Sequence, residues 1–521
     1  MPPQLNFDCL NLIFKFIIED DDSPALLYSF SLVNRIWCQA AIPLLWSNPW
    51  KFHKTDVNLP WKRSILIRTY FSCLYQESRE ILINENFFKE LFLNESSSST
   101  IKINNNNNSL IKNIQKRPTF EYSKLLRHLK LNSLVYSIKF WIKFNLSSSH
   151  SETIYYNALM EMINYLLNKP TCLFTLDIRY CDGEHRRSLQ ILTDLLESSN
   201  GKIKSLLELR NFEYDGGIIP ELQQIFKSLS TTSHKIKKMT IYPDIMIENL
   251  ANFIKVQENL SEVTITHGPT DLWMYYDWKG NEIINTIIER ANLITCLILG
   301  DIYFPLSFLS LFGNLKELYL KSLYFNENWE SLSEIFLPNL QILHFEQKNS
   351  ELSLLTKFIQ NNSSELLQII IKDEYVETPF LTKDLFIVMT NYCHDLTLYE
   401  GPIISNVTNE LKEFLISCKN ILTLHLHSTN RNLVYENFDD LLNVISQVIP
   451  IKLTKLIISG RWTITSNSLE LFLKSRENLP SKRKISFYWG SLVNYEGKFR
   501  NICRRYQKKG IVDDYGDFLK L

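Results

Sequence analysis

Glycine is scarce in this chain, 14 in 521 residues, and tight phosphate-cradling turns depend on it because they hold backbone at positive φ. No G-x-G-x-x-G, Walker-type loop, H-E-x-x-H or G-x-S-x-G occurs. The usual signatures of nucleotide binding, zinc hydrolysis and acyl transfer are therefore missing, and the chain is expected to be non-catalytic and to use no cofactor. Net charge is missing too. With 56 Lys and Arg against 56 Asp and Glu, there is no electrostatic footprint for a dedicated nucleic-acid binder, so nucleic acid is not an expected partner. Nine cysteines contain no C-x-x-C pair; an odd count in a chain of this size points to reduced, mostly buried thiols, hence to cytoplasm or nucleus. No apolar run reaches the roughly 18 residues of a membrane span, and residues 1–10 lack the basic start and apolar stretch of a signal peptide. A membrane is not an expected partner either.

What is present begins with three short apolar patterns in the first fifty residues. Leu10, Ile13, Phe14 and Ile17 follow the i, i+3, i+4, i+7 spacing of one helical face; Phe30, Val33 and Trp37 repeat the helical period; residues 41–46 end in Leu44, Leu45 and Trp46. Three short helices cannot bury this much apolar surface alone, so a partner surface is expected. Residues 51–120 read as a helical connection interrupted by Ser- and Asn-rich sequence, which cannot offset its ordering entropy by burial, so 94–116 is expected to be a disordered loop.

From residue 121 to the end a repeat takes over: an L-x-x-L-x-L strand preceded by an amphipathic helix. Copies include Leu173, Leu176, Ile178; Leu260, Val263, Ile265; Leu315, Leu318, Leu320; Cys393, Leu396, Leu398; and Ile421, Leu424, Leu426, with weaker ones at Leu207, Leu209 and at Ile485, Phe487. Leucines at alternate strand positions face one side, helices bury their apolar faces there, and neighbouring units stack. A doubly wound α/β domain also alternates strand and helix. Thirteen strands exceed the usual size of such a sheet, and no Gly-rich loop follows any of them. The expected fold is therefore α/β, a short helical unit followed by a horseshoe solenoid with a C-terminal cap.

In residues 1–50, Leu5, Cys9-Leu10-x-x-Ile13-Phe14, Leu32-Val33-Asn34-Arg35-x-Trp37 and Leu45-Trp46 together resemble an F-box, departing from it at Asn6, where proline is usual. The repeats resemble the leucine-rich repeats that follow F-boxes, and Cys418-x-x-Ile421-x-x-Leu424-x-Leu426 is similar to their cysteine-containing subtype. This resemblance implies a three-helix F-box-like unit ahead of a leucine-rich-repeat solenoid. It implies the substrate-recognition subunit of an SCF-type cullin-RING ubiquitin ligase, a non-catalytic receptor in ubiquitin-dependent protein degradation. A Skp-type adaptor, and through it a cullin, would be bound through Leu5, Leu10, Ile13, Phe14, Leu32, Val33, Trp37 and Leu45. Two other readings stay open: an F-box/leucine-rich-repeat scaffold acting in protein–protein interaction outside a ubiquitin ligase, and a helical N-terminus that only caps the solenoid.

Strand residues flanking the inward pair point to the open, concave side, where a protein substrate would bind. The candidates are Tyr242, Tyr319, Lys321, His344, Tyr399, His425, His427 and Tyr488; tyrosine is enriched at binding hot spots. His425 and His427 share a face at a spacing compatible with two metal ligands, but no third ligand is near in sequence and no metal is expected. The basic segment Lys498, Arg500, Arg504, Arg505, Lys508, Lys509 fits the solvated side of a last helix.

Overall fold

The computed structural model describes residues 5–18, 23–51, 60–74, 78, 120–145, 151–179, 183–199, 202–214, 220–242, 248–266, 282–300, 306–321, 329–347, 352–373, 379–428, 435–479, 483–490, 492–495 and 497–517; the loop expected at 94–116 lies outside them. The chain divides into two compact units, residues 1–260 with 268–275, and residues 261–267 with 276–521.

The first unit opens on α1 (Phe7–Ile18), α2 (Ser23–Ser31) and α3 (Arg35–Ser47). Asn6, standing where an F-box has proline, caps α1: its side-chain oxygen accepts from Cys9 N at 2.8 Å. Asn34 caps α3 in the same way, accepting from Trp37 N at 3.0 Å; each satisfies a backbone donor the helix leaves open. Leu10, Phe14, Leu27, Ala40 and Ala41 form a small core, with Ile17, Phe30, Trp37, Leu44 and Leu45 packed on it. The rings of Phe14, Phe30 and Trp37 meet pairwise at 4.9 to 5.4 Å. Trp46 leads out of this bundle onto Tyr70 of α4 (Pro60–Cys73) and Tyr122 of α5 (Tyr122–Leu125).

Four parallel strands follow in chain order: β1 (His128–Lys130), β2 (Thr175–Asp177), β3 (Asn211–Glu213) and β4 (Lys238–Ile241). Leu129, Leu176, Phe212 and Met239 stand in one register row, all buried. Between β1 and β2 the long interval holds two helices, α6 (Leu131–Asn145) and α7 (Ser151–Asn168); α8 (Gly183–Ser199), α9 (Pro220–Thr232) and α10 (Glu248–Lys255) follow the later strands. The copy expected at Leu207 and Leu209 is corrected: residues Lys204–Glu208 form a 3-10 turn and the strand begins three residues later, with Phe212 as its inward residue.

The second unit carries ten parallel strands, again in chain order: β5 (Glu262–Thr266), β6 (Cys296–Gly300), β7 (Glu317–Lys321), β8 (Ile342–Gln347), β9 (Gln368–Asp373), β10 (Leu398–Ile403), β11 (Thr423–Ser428), β13 (Lys455–Ser459), β15 (Ile485–Trp489) and β17 (Val512–Asp517). Their helices are α11 (Glu282–Glu289), α12 (Leu352–Asn361), α13 (Pro379–Tyr392), α14 (Thr408–Ser417), α15 (Asp439–Gln447), α16 (Ser466–Glu477) and α17 (Phe499–Lys508). In the intervals after β6 and β7, 3-10 turns at Leu306–Leu311 and Trp329–Glu334 replace the helix. Three two- or three-residue strands, β12 (Glu436–Asn437), β14 (Trp462–Ile464) and β16 (Asn494–Tyr495), form a second parallel sheet. Sequential parallel pairing with one helix or turn per strand is the architecture of stacked repeats, consistent with a leucine-rich-repeat solenoid.

Two further strands are shifted from the sequence expectation. In β10 the residue level with Leu424 is Tyr399, and Gly401 is level with Leu426; Leu396 therefore takes the place of Ile421, not of Leu424. In β15 the residues level with Leu456 and Ile458 are Phe487 and Trp489, not Ile485 and Phe487. The rings of Phe386 on α13 and Phe472 on α16 approach Tyr399 and Phe487 at 5.5 and 6.3 Å, which marks the face the helices cover. Polar groups between neighbouring units are answered there. Buried Asn362 donates to the carbonyls of Ile335 and Phe358 and accepts from Leu337 N, and Cys418 Sγ donates to Cys393 O at 3.0 Å.

Candidate protein-interaction faces

In the first unit, α1 is apolar on both sides. Leu10 and Phe14, at 0 and 1% exposure, face the bundle, so these two residues expected at an adaptor are corrected to core. Trp37 and Leu45 are half-buried against the same core. The other four, Leu5, Ile13, Leu32 and Val33, are exposed, Leu32 to 70%. Sequence reasoning missed their neighbours: Phe7, Leu12 and Phe16 on α1, Leu26 and Tyr28 on α2, and Ile36 on α3 are also exposed large apolar side chains. The missed signal is Leu12 and Phe16, an i, i+4 apolar pair that with Ile13 lies on the side of the helix away from Leu10 and Phe14. Apolar surface this extensive on a short helical unit marks an interaction site in soluble proteins.

In the second unit the period of two along each strand puts three register rows on the face opposite the helices. The middle row runs Tyr319, His344, Ile370, Glu400, His425, Ile457, Tyr488. Flanking rows run Lys321, Glu346, Lys372 across β7 to β9 and Pro402, His427, Ser459 across β10 to β13. Six of the eight expected substrate residues, Tyr319, Lys321, His344, His425, His427 and Tyr488, are thus brought to one face, but His344, His425 and Tyr488 are buried within it and only Tyr319, Lys321 and His427 are part-exposed. Tyr399 is corrected: it is fully buried on the helix side, its hydroxyl donating to Pro402 O at 3.2 Å. Tyr242, in the first unit, is corrected as well; it is buried with its ring 5.2 Å from that of Tyr214. Glu400 is the residue the misread strand concealed, and Lys372 was passed over beside it.

Charges on this face are paired across strands. Glu400 lies 3.4 Å from His425 Nδ1 and 3.8 Å from Lys372 Nζ, while His425 Nε2 meets Ser459 Oγ at 2.8 Å. Burial raises the Glu400 carboxyl, but hydrogen bonding and charge from His425, with Lys372 and His427, outweigh it and hold the group below its ordinary value. Burial, reinforced by the His425 charge, pushes His427 down to about 3. His344 is also lowered, by burial first and then by Lys372 and Lys321. Its ring lies 5.4 Å from that of Tyr319, whose hydroxyl is pushed up to about 12 by burial and by Glu317. Tyr488 donates to Asp514 at 2.8 Å and carries Lys455 Nζ 5.2 Å over its ring. The result is a belt of aromatic and imidazole groups edged by paired charges, whose part-exposed members Tyr319, Lys321 and His427 are the ones open to polypeptide contact. Among the described residues no group of three or more His, Cys, Asp or Glu is placed to hold a metal ion, and no helix is long and apolar enough to cross a membrane.

No protein-family model and no curated protein matches the chain. Among solved structures, a leucine-rich-repeat protein of Leptospira interrogans is similar at 13% identity, over 68% of this chain and 79% of that one, with a TM-score of 0.32.

Proposed function

We propose that the chain is a protein-interaction scaffold that serves as the substrate-recognition subunit of an SCF-type cullin-RING ubiquitin ligase. The N-terminal helices bind a Skp-type adaptor, and through it a cullin, while the aromatic and histidine belt of the second unit takes the protein substrate. One observation carries this reading. The residues that resemble an F-box fold as three short helices whose small core leaves Leu5, Ile13, Leu32 and Val33 in solvent, beside six more large apolar side chains. Large exposed apolar surfaces mark interaction sites, and the resemblance to an F-box points to a polypeptide as the cover.

Co-purification of the full chain with a recombinant Skp-type adaptor tests the proposal. Binding is expected with the intact chain and is expected to be lost both on deletion of residues 1–48 and in the Leu32→Asp/Val33→Asp variant, which leaves the bundle core untouched. An intact chain that ignores the adaptor, or adaptor binding that survives the deletion, overturns it. Ubiquitylation of a client that depends on residues 1–48 separates a ligase subunit from a scaffold working elsewhere.

A further inference from the structure

Helix α17 is the last helix of the second unit, and its two sides differ sharply. Phe499, Ile502, Cys503 and Tyr506 are buried. Arg500, Arg504 and Lys508 are exposed, and their i, i+4, i+8 spacing makes them one stripe, about 12 Å long at 1.5 Å per residue. Residues 497–512 contain six Lys and Arg and no Asp or Glu, in a chain whose charges balance as a whole. Two of the six are answered from α16: Arg505 pairs with Glu470 at 2.6 Å and Lys509 with Glu477 at 2.9 Å. The stripe itself, together with Lys498, makes no ion pair among the described residues. Like charges at i, i+4 disfavour the helix that carries them, and among the described residues no ion pair offsets that cost.

We propose that the solvent face of α17 is a docking strip for an acidic protein segment, separate from the N-terminal helices and from the histidine belt. Charge complementarity requires an anion, and the surroundings select which kind. The apolar side of α17 is occupied by the protein interior, so the helix has nothing to insert into a lipid surface. The stripe offers three charges over about 12 Å, few for a nucleic acid, whose affinity grows with the number of phosphates neutralised. Three cations match a short run of Asp and Glu, and two of the three are arginines, whose planar forks take carboxylates in bidentate fashion.

The test uses the full chain and a fluorescein-labelled peptide of alternating Glu and Asp, followed by fluorescence anisotropy at low and at physiological salt. The expected result is binding that weakens with salt, falls about tenfold or more in Arg500→Gln/Arg504→Gln/Lys508→Gln, and falls less, about two- to threefold, in Arg500→Lys/Arg504→Lys, which keeps the charge and loses the planar fork. Circular dichroism melting of the triple variant should match the parent, because these side chains are exposed and unpaired. If it melts early, Arg504→Gln alone, expected to be about two- to threefold weaker, takes its place. Equal affinity in the Gln variants, no peptide binding by the parent, or tighter capture of a single-stranded oligonucleotide or of phosphatidylserine vesicles through the same three residues overturns the proposal.

Discussion

Tyr399 and Gly401 occupy the two inward positions of β10 that leucines occupy in the next strand, where Leu424 and Leu426 stand level with them. A Cβ placed on Gly401 would lie 2.5 Å from the Tyr399 hydroxyl oxygen and 2.6 Å from its Cζ. The ring therefore fills the volume that the missing side chain vacates, and the two positions form one packing unit. Each single change should damage the core in its own way. Gly401→Leu drives a branched side chain into a closed ring and is expected to cost about 3 kcal/mol, the upper end for overpacking. Tyr399→Leu leaves a void between Phe386 and Phe414, whose rings lie 5.5 and 5.7 Å from the tyrosine, at a cost of about 2 to 3 kcal/mol. The double variant rebuilds the leucine pair of the adjoining strand, so its cost should be about 1 kcal/mol, far below the sum of the singles. Urea unfolding of the four proteins, followed by circular dichroism with m compared among them, measures the coupling. A double variant that is merely additive would show that the tyrosine and the glycine do not share one space, and the register argument for β10 would fail with it.

Removing the α1 cap with Asn6→Ala should destabilise the N-terminal helices by about 1 kcal/mol, read as faster amide exchange confined to residues 7–18. Phe14→Ala should cost about 3 to 5 kcal/mol because it empties the centre of that small core, whereas Leu32→Asp should leave the melting temperature almost unchanged. Stability should fall as pH drops from about 6.5 toward 4: His128, lowered to about 4 chiefly by burial, and His427, lowered to about 3, both take up protons in the unfolded chain before the folded one. The folded state binds fewer protons across that window, so acid favours unfolding, and His128→Gln/His427→Gln should flatten the profile measured by urea titration at several pH values.

The repeat was legible because leucine at alternate strand positions has one structural cause, burial under a helix, and the strands centred on Val263, Leu318 and Leu424 lie where that pattern puts them. It failed where the pattern had a decoy. Leu396 and Leu398 mimic the inward pair two residues apart, while the true pair, Tyr399 and Gly401, contains no aliphatic residue at all. β17 escaped notice because V-D-D-Y-G-D has no apolar alternation, being an edge strand whose aspartates discourage further pairing. The second sheet escaped because strands of two or three residues leave no periodicity to read. At the N-terminus the helices were evident but their facing was not: when α1 is apolar on both sides, sequence alone cannot choose between Phe14 and Phe16, and the neighbouring Phe30 and Trp37 rings make the choice. The open face was legible for the histidines, which flank aliphatic residues, and illegible for Glu400, whose assignment depended on the misread strand.

The three short strands β12, β14 and β16 lace the units around β11, β13 and β15 a second time, far along the chain from the N-terminal helices. Under mechanical load the two ends of the protein should consequently behave unlike each other. A pull on the C-terminus would peel β17 from its one neighbour and then stall against two parallel rows of hydrogen bonds that must shear together, so an unfolding motor gripping that end meets its steepest resistance within the first few turns.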